Sequence, residues 1–376
     1  MRIPELDHHH ISYRLTGVSA LEWFFRRSVP PVTMIESATD VVQLAPVVDE
    51  LEFPGFPDWD ASFRSRVGRV LVRGIDAEPA GGPASLDSFS FDPIRRAFAD
   101  PHGWYESLAE ARARLGKRRS HSSPDPAEVE PLPVPMDDLI TAAVVAARFP
   151  LVPEGWPQQL PELSLTPAAP GAWHRAILEL ILTGPFAWRG LDMLFRSGYV
   201  AEVLPELLPM NRTDHSKEGH PEGNVWWHSL ETLKYRKQAE FAISLALLLH
   251  DAGKPYAEPE GNRRFNRHAE IGADLARRIM ERLELSPGER EEVAWLIRHH
   301  MIPGAIDRLP DHRRDPVMAS PHFPALLEVY RCDLSSTFRG PDNYYRACRV
   351  YRGYLKRARR AARSAPPRRL VELYVE

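Results

Sequence analysis

The chain has 376 residues, enough for two or three domains and a substantial core. Hydrophobic residues make up 43% and charged residues 26%, ordinary globular composition that excludes a disordered or fibrous chain. The longest apolar run, Phe241–Leu249, falls far short of the roughly 18 residues a membrane span needs, so it reads as a buried helix and no membrane partner is expected. The net charge of −3 names no partner, but it is unevenly spread. Ten Arg or Lys and one Asp lie between Pro341 and Leu370, giving that stretch +9 and the remainder about −12. The two cysteines, Cys332 and Cys348, match no zinc spacing. They point to a reduced, cytoplasmic setting.

In chain order, Ala20–Arg27 predicts a helix, TMIE at 33–36 a weak strand, and RVLVRGI at 69–75 a strand rich in β-branched residues. His8-His9-His10 cannot share one rigid face and reads as a disordered start rather than a metal cluster. Tyr105–Leu115 is helical by its apolar spacing. Residues 117–135 read as a linker that buries no core. Every periodic segment beyond Met136 is helical: 136–149, 172–182, 187–197 and 201–207 as a neck, then 228–236, 239–249, 268–283, 289–300, 325–335 and 343–362 as a second unit.

One pair of residues carries chemistry. His250-Asp251 ends the helix FAISLALLLH, which is apolar on all faces and therefore buried. Two adjacent ionisable groups at a buried edge are costly without a partner. A metal ion is the simplest partner for an imidazole beside a carboxylate. Gly253 follows, and Lys254 offers a cation one turn on, where an anionic substrate can sit. His228 (HPEGNVWWHSLETL), His268, the pair His299-His300 and Asp333 (ALLEVYRCDLSS) each lie near a helix end or inner face. Of the paired histidines, His300 shares a face with Val293, Leu296 and Ile297 and is the one expected to point inward. Trp226-Trp227 reads as pocket wall or core.

His228, His250-Asp251 and Asp333, in this order and with LLHDAGKP, resemble the H…HD…D signature of HD-domain metal-dependent phosphohydrolases. The resemblance implies that His228, His250, Asp251 and Asp333 hold a divalent cation, which lowers the pKa of a bound water and polarises a phosphoryl oxygen. The mixed donor set suits Mg²⁺, Mn²⁺, Ni²⁺ or Fe²⁺ without choosing among them. It leaves His268 and His300 either as ligands of a second ion or as phosphate contacts, with Lys254. Asp251 would orient the water.

The chain as a whole resembles the tRNA nucleotidyltransferase/poly(A) polymerase family, in the branch with a C-terminal HD domain. SFDPIRRAFADPHGWYESLAEARARL, GLDMLFRSGYVAEVLPEL and HPEGNVWWHSLETL carry the likeness. The transfer motifs themselves are degenerate. Two carboxylates one residue apart on a strand should hold Mg²⁺, yet Thr33 and Ile35 stand there, and Glu36 points to the other face. The Gly-Gly-x-x-Arg-Asp element is reduced to Gly17, with Ala20 and Leu21 in the Arg-Asp places. Gly81, Gly82 and Pro83 replace an Arg-Arg-Asp element, and the neck helix has no Arg before Arg148. Asp76 is a third-acid candidate or a turn residue.

The expected fold class is therefore α+β. A degenerate nucleotidyltransferase-like α/β domain covers 1–120, a linker and all-α neck 121–210, an all-α HD domain 211–342, and a basic C-terminal helix and tail 343–376. The expected activity is hydrolysis of a phosphomonoester or phosphodiester: a nucleotide, a 2′,3′-cyclic phosphate or an RNA end. The alternatives are a divergent tRNA nucleotidyltransferase and a non-catalytic RNA- or nucleotide-binding protein. The basic C-terminal helix offers RNA binding, with Tyr344, Tyr345, Tyr351 and Tyr354 as candidate base-stacking side chains.

Overall fold

A computed structural model describes residues 2–26, 30–53, 56, 59–74, 88–116, 129–163, 169, 171–214, 223–258, 265–337, 340–360 and 366–376. Asp76, Gly81, Gly82, Pro83 and most of the linker segment fall outside these residues. Cα packing divides the chain into two compact units, Met1–Tyr199 and Val200–Glu376.

The first unit opens with α1 (Pro4–His8), β1 (Tyr13–Thr16), α2 (Gly17–Phe24), β2 (Val32–Ser37) and α3 (Val41–Leu44). It continues through β3 (Ala61–Ser65), β4 (Gly68–Gly74), β5 (Ser90–Asp92), β6 (Ala97–Ala99) and α4 (Tyr105–Gly116). A six-stranded sheet runs in the order β3-β4-β2-β1-β5-β6. Only the β2–β4 pair in it is parallel. The triple histidine is not a disordered start. His8 closes α1, because Ile3 and Leu6 are fully buried and the Ile3 amide donates to the Tyr13 hydroxyl at 2.9 Å.

β7 (Leu132–Val134), α5 (Leu139–Arg148), β8 (Leu151–Pro153), α6 (Gly171–Leu182) and α7 (Ala187–Arg196) complete this unit, and α8 (Tyr199–Val203) crosses its boundary. Asp138 caps α5 by accepting from the Thr141 amide at 2.6 Å, so that helix starts three residues later than its apolar pattern suggests. The end of the linker does bury apolar groups: Val129 and Val134 are buried, and β7 pairs with β8.

The second unit is helical. α9 (Val225–Thr232), α10 (Phe241–Leu249), α11 (His268–Arg282) and α12 (Pro287–His299) are followed by α13 (Asp311–Met318), α14 (Phe323–Ser335), α15 (Asp342–Arg360) and α16 (Arg368–Tyr374). α10 is the core helix and packs against α9, α12 and α14. Its residues from Ile243 to Leu249 are all buried, as a helix apolar on every face requires. α13 and α16 were not expected; α13 is a short polar helix with an internal Pro316 and shows no apolar period.

The tyrosines of α15 need a correction. Tyr344, Tyr351 and Tyr354 do not project for stacking on bases; they are buried. With Ala347, Cys348, Leu355 and Ala358 they recur at three- and four-residue spacing and form the packing face of the helix. Tyr344 donates its hydroxyl to the Tyr374 carbonyl at 3.1 Å, and Tyr351 packs on Phe323.

Candidate metal centre

Five helices and one turn bring the site together. Asn224 caps α9 by accepting from the Trp227 amide at 2.9 Å, which sets His228 one turn into that helix. Trp226 is fully buried, whereas Trp227 is exposed. α10 delivers His250 at its C-cap and Asp251 in the turn that follows. α11 begins at His268. α12, fixed by a Ser286–Glu289 capping box, ends with His300 as its C-cap. α14 supplies Asp333.

His228, His250, Asp251, Lys254 and His300 are all buried. Around Asp251 Oδ2 lie Lys254 Nζ at 2.5 Å, His250 Nε2 at 3.3 Å and His228 Nε2 at 3.7 Å. Around Asp251 Oδ1 lie His268 Nε2 at 3.6 Å and His300 Nε2 at 3.8 Å. Asp333 Oδ1 stands 3.0 Å from His228 Nε2 and 3.9 Å from His250 Nε2. His300, not His299, faces the cluster. His299 turns to the Trp295 carbonyl at 2.8 Å and stacks its ring against Trp295.

The far ring nitrogens set the histidine tautomers. The Nδ1 atoms of His250, His268 and His300 each lie 2.7–2.9 Å from the backbone carbonyl three residues back, at Leu247, Phe265 and Ile297. A carbonyl only accepts, so each Nδ1 carries the proton and each Nε2 presents a lone pair to the cluster. His228 Nδ1 lies 3.4 Å from Ser336 Oγ. Ser336 was not singled out in the sequence; its only signal is its place three residues after Asp333.

The electrostatics follow from this packing. Burial alone would raise the Asp251 carboxyl, but the Lys254 ammonium in contact with it holds it well below the usual carboxylate range. Asp333 is likewise held low against its burial by the hydrogen-bonded His228. Burial pushes His300 down to about 3, and burial also lowers His268.

Two groups have donor atoms close enough to share an ion: His228, His250 and Asp251, and Asp251, His268 and His300, each with all its donors within 4.8 Å. The donors fit a cation in a specific way. The Nε2 of His250 is buried and has no hydrogen-bond partner. The Nε2 atoms of His268 and His300, both lone-pair donors in these tautomers, face each other at 3.3 Å. Neither arrangement is favourable without a positive centre among the nitrogens.

The sequence model of the HD domain family matches residues 225–328. Residues 225–328 are an HD domain. His228, His250-Asp251, Lys254, His268 and His300 lie within the matched span, and Asp333 lies five residues beyond it. The chain is 32% identical over 186 residues to the A-adding tRNA nucleotidyltransferase of Deinococcus radiodurans, covering 46% of this chain and 41% of that one. It is 35% identical over 162 residues to the CC-adding tRNA nucleotidyltransferase of Thermus thermophilus, covering 40% and 36%. A bifunctional uridylyltransferase/uridylyl-removing enzyme of Mycobacterium tuberculosis matches at 27% over 168 residues, 43% and 18% of the two chains. The matches thus span about two-fifths or less of these relatives' length. The solved Bacillus stearothermophilus CCA-adding enzyme in complex with CTP aligns at 13% identity and a TM-score of 0.44, covering 98% of this chain and 88% of that one.

The residues that should transfer nucleotides sit as follows. Thr33 and Ile35 lie on one face of β2 and are fully buried. Glu36 faces the opposite way and is clasped by its two cross-strand neighbours, Arg73 at 2.8 Å and Arg14 at 3.3 Å. Arg148 is buried and bonded to Glu22, the Leu180 carbonyl and Thr183.

Proposed function

We propose that the second unit is a metal-dependent phosphohydrolase, with 211–342 as its catalytic domain and a nucleotide, a 2′,3′-cyclic phosphate or an RNA end as substrate. The observation that carries this reading is the buried, unbonded Nε2 of His250 beside the anionic Asp251. His228, His250, Asp251 and Asp333 are the proposed ligands of a divalent cation. Such an ion, when bound, supplies a Lewis acid for a phosphoryl oxygen and acidifies water. Asp251 touches both histidine groups and can bridge them. His268 and His300 fit a second ion better than a phosphate, because their facing lone pairs repel an anion as they repel each other. Lys254 neutralises Asp251 at 2.5 Å and leaves the cluster less negative for an incoming phosphoester. Asp333, the most exposed of the ligands at 22%, marks the side from which substrate enters.

The names of the relatives point to RNA and nucleotide phosphoesters, and one is named for removing uridylyl groups. The first unit is proposed as a scaffold that keeps a transferase-like fold over 1–120 without its chemistry. Buried Thr33 and Ile35 offer a triphosphate no carboxylate, and Glu36 is committed to two arginines.

The test is elemental analysis of the purified chain, joined to hydrolysis of p-nitrophenyl phosphate, bis-p-nitrophenyl phosphate and 2′,3′-cyclic AMP. The wild type should carry stoichiometric metal and cleave at least one ester, and Asp251→Ala should lose both. A metal-free wild type whose hydrolysis survives Asp251→Ala would sink the reading. Incorporation of labelled CTP or ATP into tRNA lacking its 3′ end would instead establish nucleotidyl transfer.

A further inference from the structure

The packing of α15 sorts its side chains onto two faces. Tyr344, Ala347, Cys348, Tyr351, Tyr354, Leu355 and Ala358 turn inward. Tyr345, Arg349, Arg352 and Lys356 turn outward at offsets of four, seven and eleven, so they form one ridge along the helix. Arg349 and Lys356 have no carboxylate within ion-pair distance among the described residues, and Asp342 is the helix's only acid. Arg352 reaches the Val375 carbonyl at 3.3 Å, a neutral acceptor. Arg346, beside the ridge, pairs weakly with Asp307 at 3.4 Å.

We infer that this ridge is a docking surface for a single-stranded segment of RNA whose phosphoester is cleaved in the HD domain. The inference rests on the proposed RNA phosphoester substrate. From Arg349 to Lys356 the helix rises about 10 Å, roughly three phosphates along one strand. Tyr345 is the one large apolar side chain of α15 exposed among the described residues. It stands at the ridge's start, where an unpaired base can stack on it. A duplex keeps its bases out of reach of such a ring. A membrane surface fits less well, because the apolar face an interfacial helix would insert is already spent on packing. The ridge belongs to the same unit as the cluster: α15 packs against the turn at Pro303–Ala305, three residues beyond His300.

Binding of a fluorescein-labelled 20-nucleotide RNA, followed by anisotropy from 50 to 300 mM KCl, tests this. The wild type should bind with a steep salt dependence. R349E/R352E/K356E should lose affinity by at least about tenfold and flatten the log–log salt slope by about 2, near 0.7 for each lost phosphate contact. R349Q/K356Q keeps the Arg352–Val375 contact and should show a smaller change of the same sign. A matched charge reversal on exposed arginines of the first unit, R66E/R95E/R96E, should leave binding intact. Hydrolysis of 2′,3′-cyclic AMP should be equal in all four proteins, which separates failure of the ridge from failure of the proposed reaction. Unchanged RNA binding in R349E/R352E/K356E, equal binding of duplex DNA or anionic vesicles, or no RNA binding by the wild type would each overturn the inference.

Discussion

Gly253 lies against Gly272 so closely that a Cβ on Gly253 would come within 2.5 Å of the Gly272 amide nitrogen and 2.1 Å of the His268 carbonyl. The backbone at Gly253 is ordinary; space alone demands glycine there. This contact sets the turn carrying Asp251 and Lys254 against the first turn of α11, and so brings His268 to 3.6 Å from Asp251. Gly253→Ala should force the two apart. We expect a stability loss of about 1–3 kcal/mol or more, together with weaker metal binding, measured by thermal unfolding and by titration with Mn²⁺. A variant that melts and binds Mn²⁺ like the wild type would refute the contact's role.

A buried imine nitrogen without a partner predicts how the folded chain responds to metal. An ion that binds only the folded state stabilises it by about 4 kcal/mol at a thousandfold excess over its Kd. Adding Mn²⁺ or Ni²⁺ to the chelated wild type should therefore raise its melting temperature. His250→Ala should abolish that rise. It also removes the Nδ1 bond to the Leu247 carbonyl and leaves a cavity at a buried position, so its metal-free melting temperature should fall below that of the wild type, and the rise on adding metal is the quantity compared. Ser336→Ala, which removes the group facing His228 Nδ1, should weaken metal binding by about tenfold without abolishing it. A metal-dependent rise that persists in His250→Ala would place the ion elsewhere.

Much of the second unit was legible because its signals are local. LLHDAGKP carries its meaning in eight consecutive residues, and an all-apolar helix that ends in His-Asp sets two ionisable groups at a buried edge. Asp333 is separated from Asp251 by most of the unit, so only order and helix face pointed to it; its 3.0 Å approach to His228 is a tertiary fact. The Lys254–Asp251 pair escaped notice because spacing gives proximity but not rotamer. Tyr344, Tyr351 and Tyr354 were misread as stacking side chains although they recur with helical period, since the surrounding arginines dominate composition while the buried stripe is set by position. In the first unit, β1, β5 and β6 have three or four residues each, too few for alternation to register.

Glu206 and Arg282 form a two-pronged pair, both prongs 2.8 Å, between the segment after α8 and the end of α11. Burial would raise the Glu206 carboxyl, but Arg282 outweighs it and holds the carboxyl below the usual glutamate range. A depressed folded pKa gives stability that is complete above the ordinary value of about 4.3 and fades as the pH falls through the lower folded value. Arg282 is 46% exposed, so the contribution is at most about 1 kcal/mol. Glu206→Gln should therefore cost up to about that much at pH 7, and the gap from wild type should close below pH 4. Urea unfolding at both pH values checks it; a gap that widens in acid would contradict the assignment.

In the first unit the decisive pair is Glu22 on α2 and Arg148 at the end of α5, both buried and directly bonded. Arg148 also donates to the Leu180 carbonyl at 2.6 Å and to Thr183 Oγ1 at 2.8 Å, tying α2, α5 and α6 into one core. Removing one charge strands the other in a medium that cannot solvate it, at a cost of about 3–5 kcal/mol. Glu22→Leu and Arg148→Met should each destabilise the first unit by that order. The double variant should recover part of the loss, because two apolar side chains leave no buried charge between them. Denaturant unfolding monitored by tryptophan fluorescence should register the change, while the metal content of the HD domain stays at the wild-type level. If the two single losses simply add in the double variant, Glu22 and Arg148 act independently and the pair is not what joins these helices.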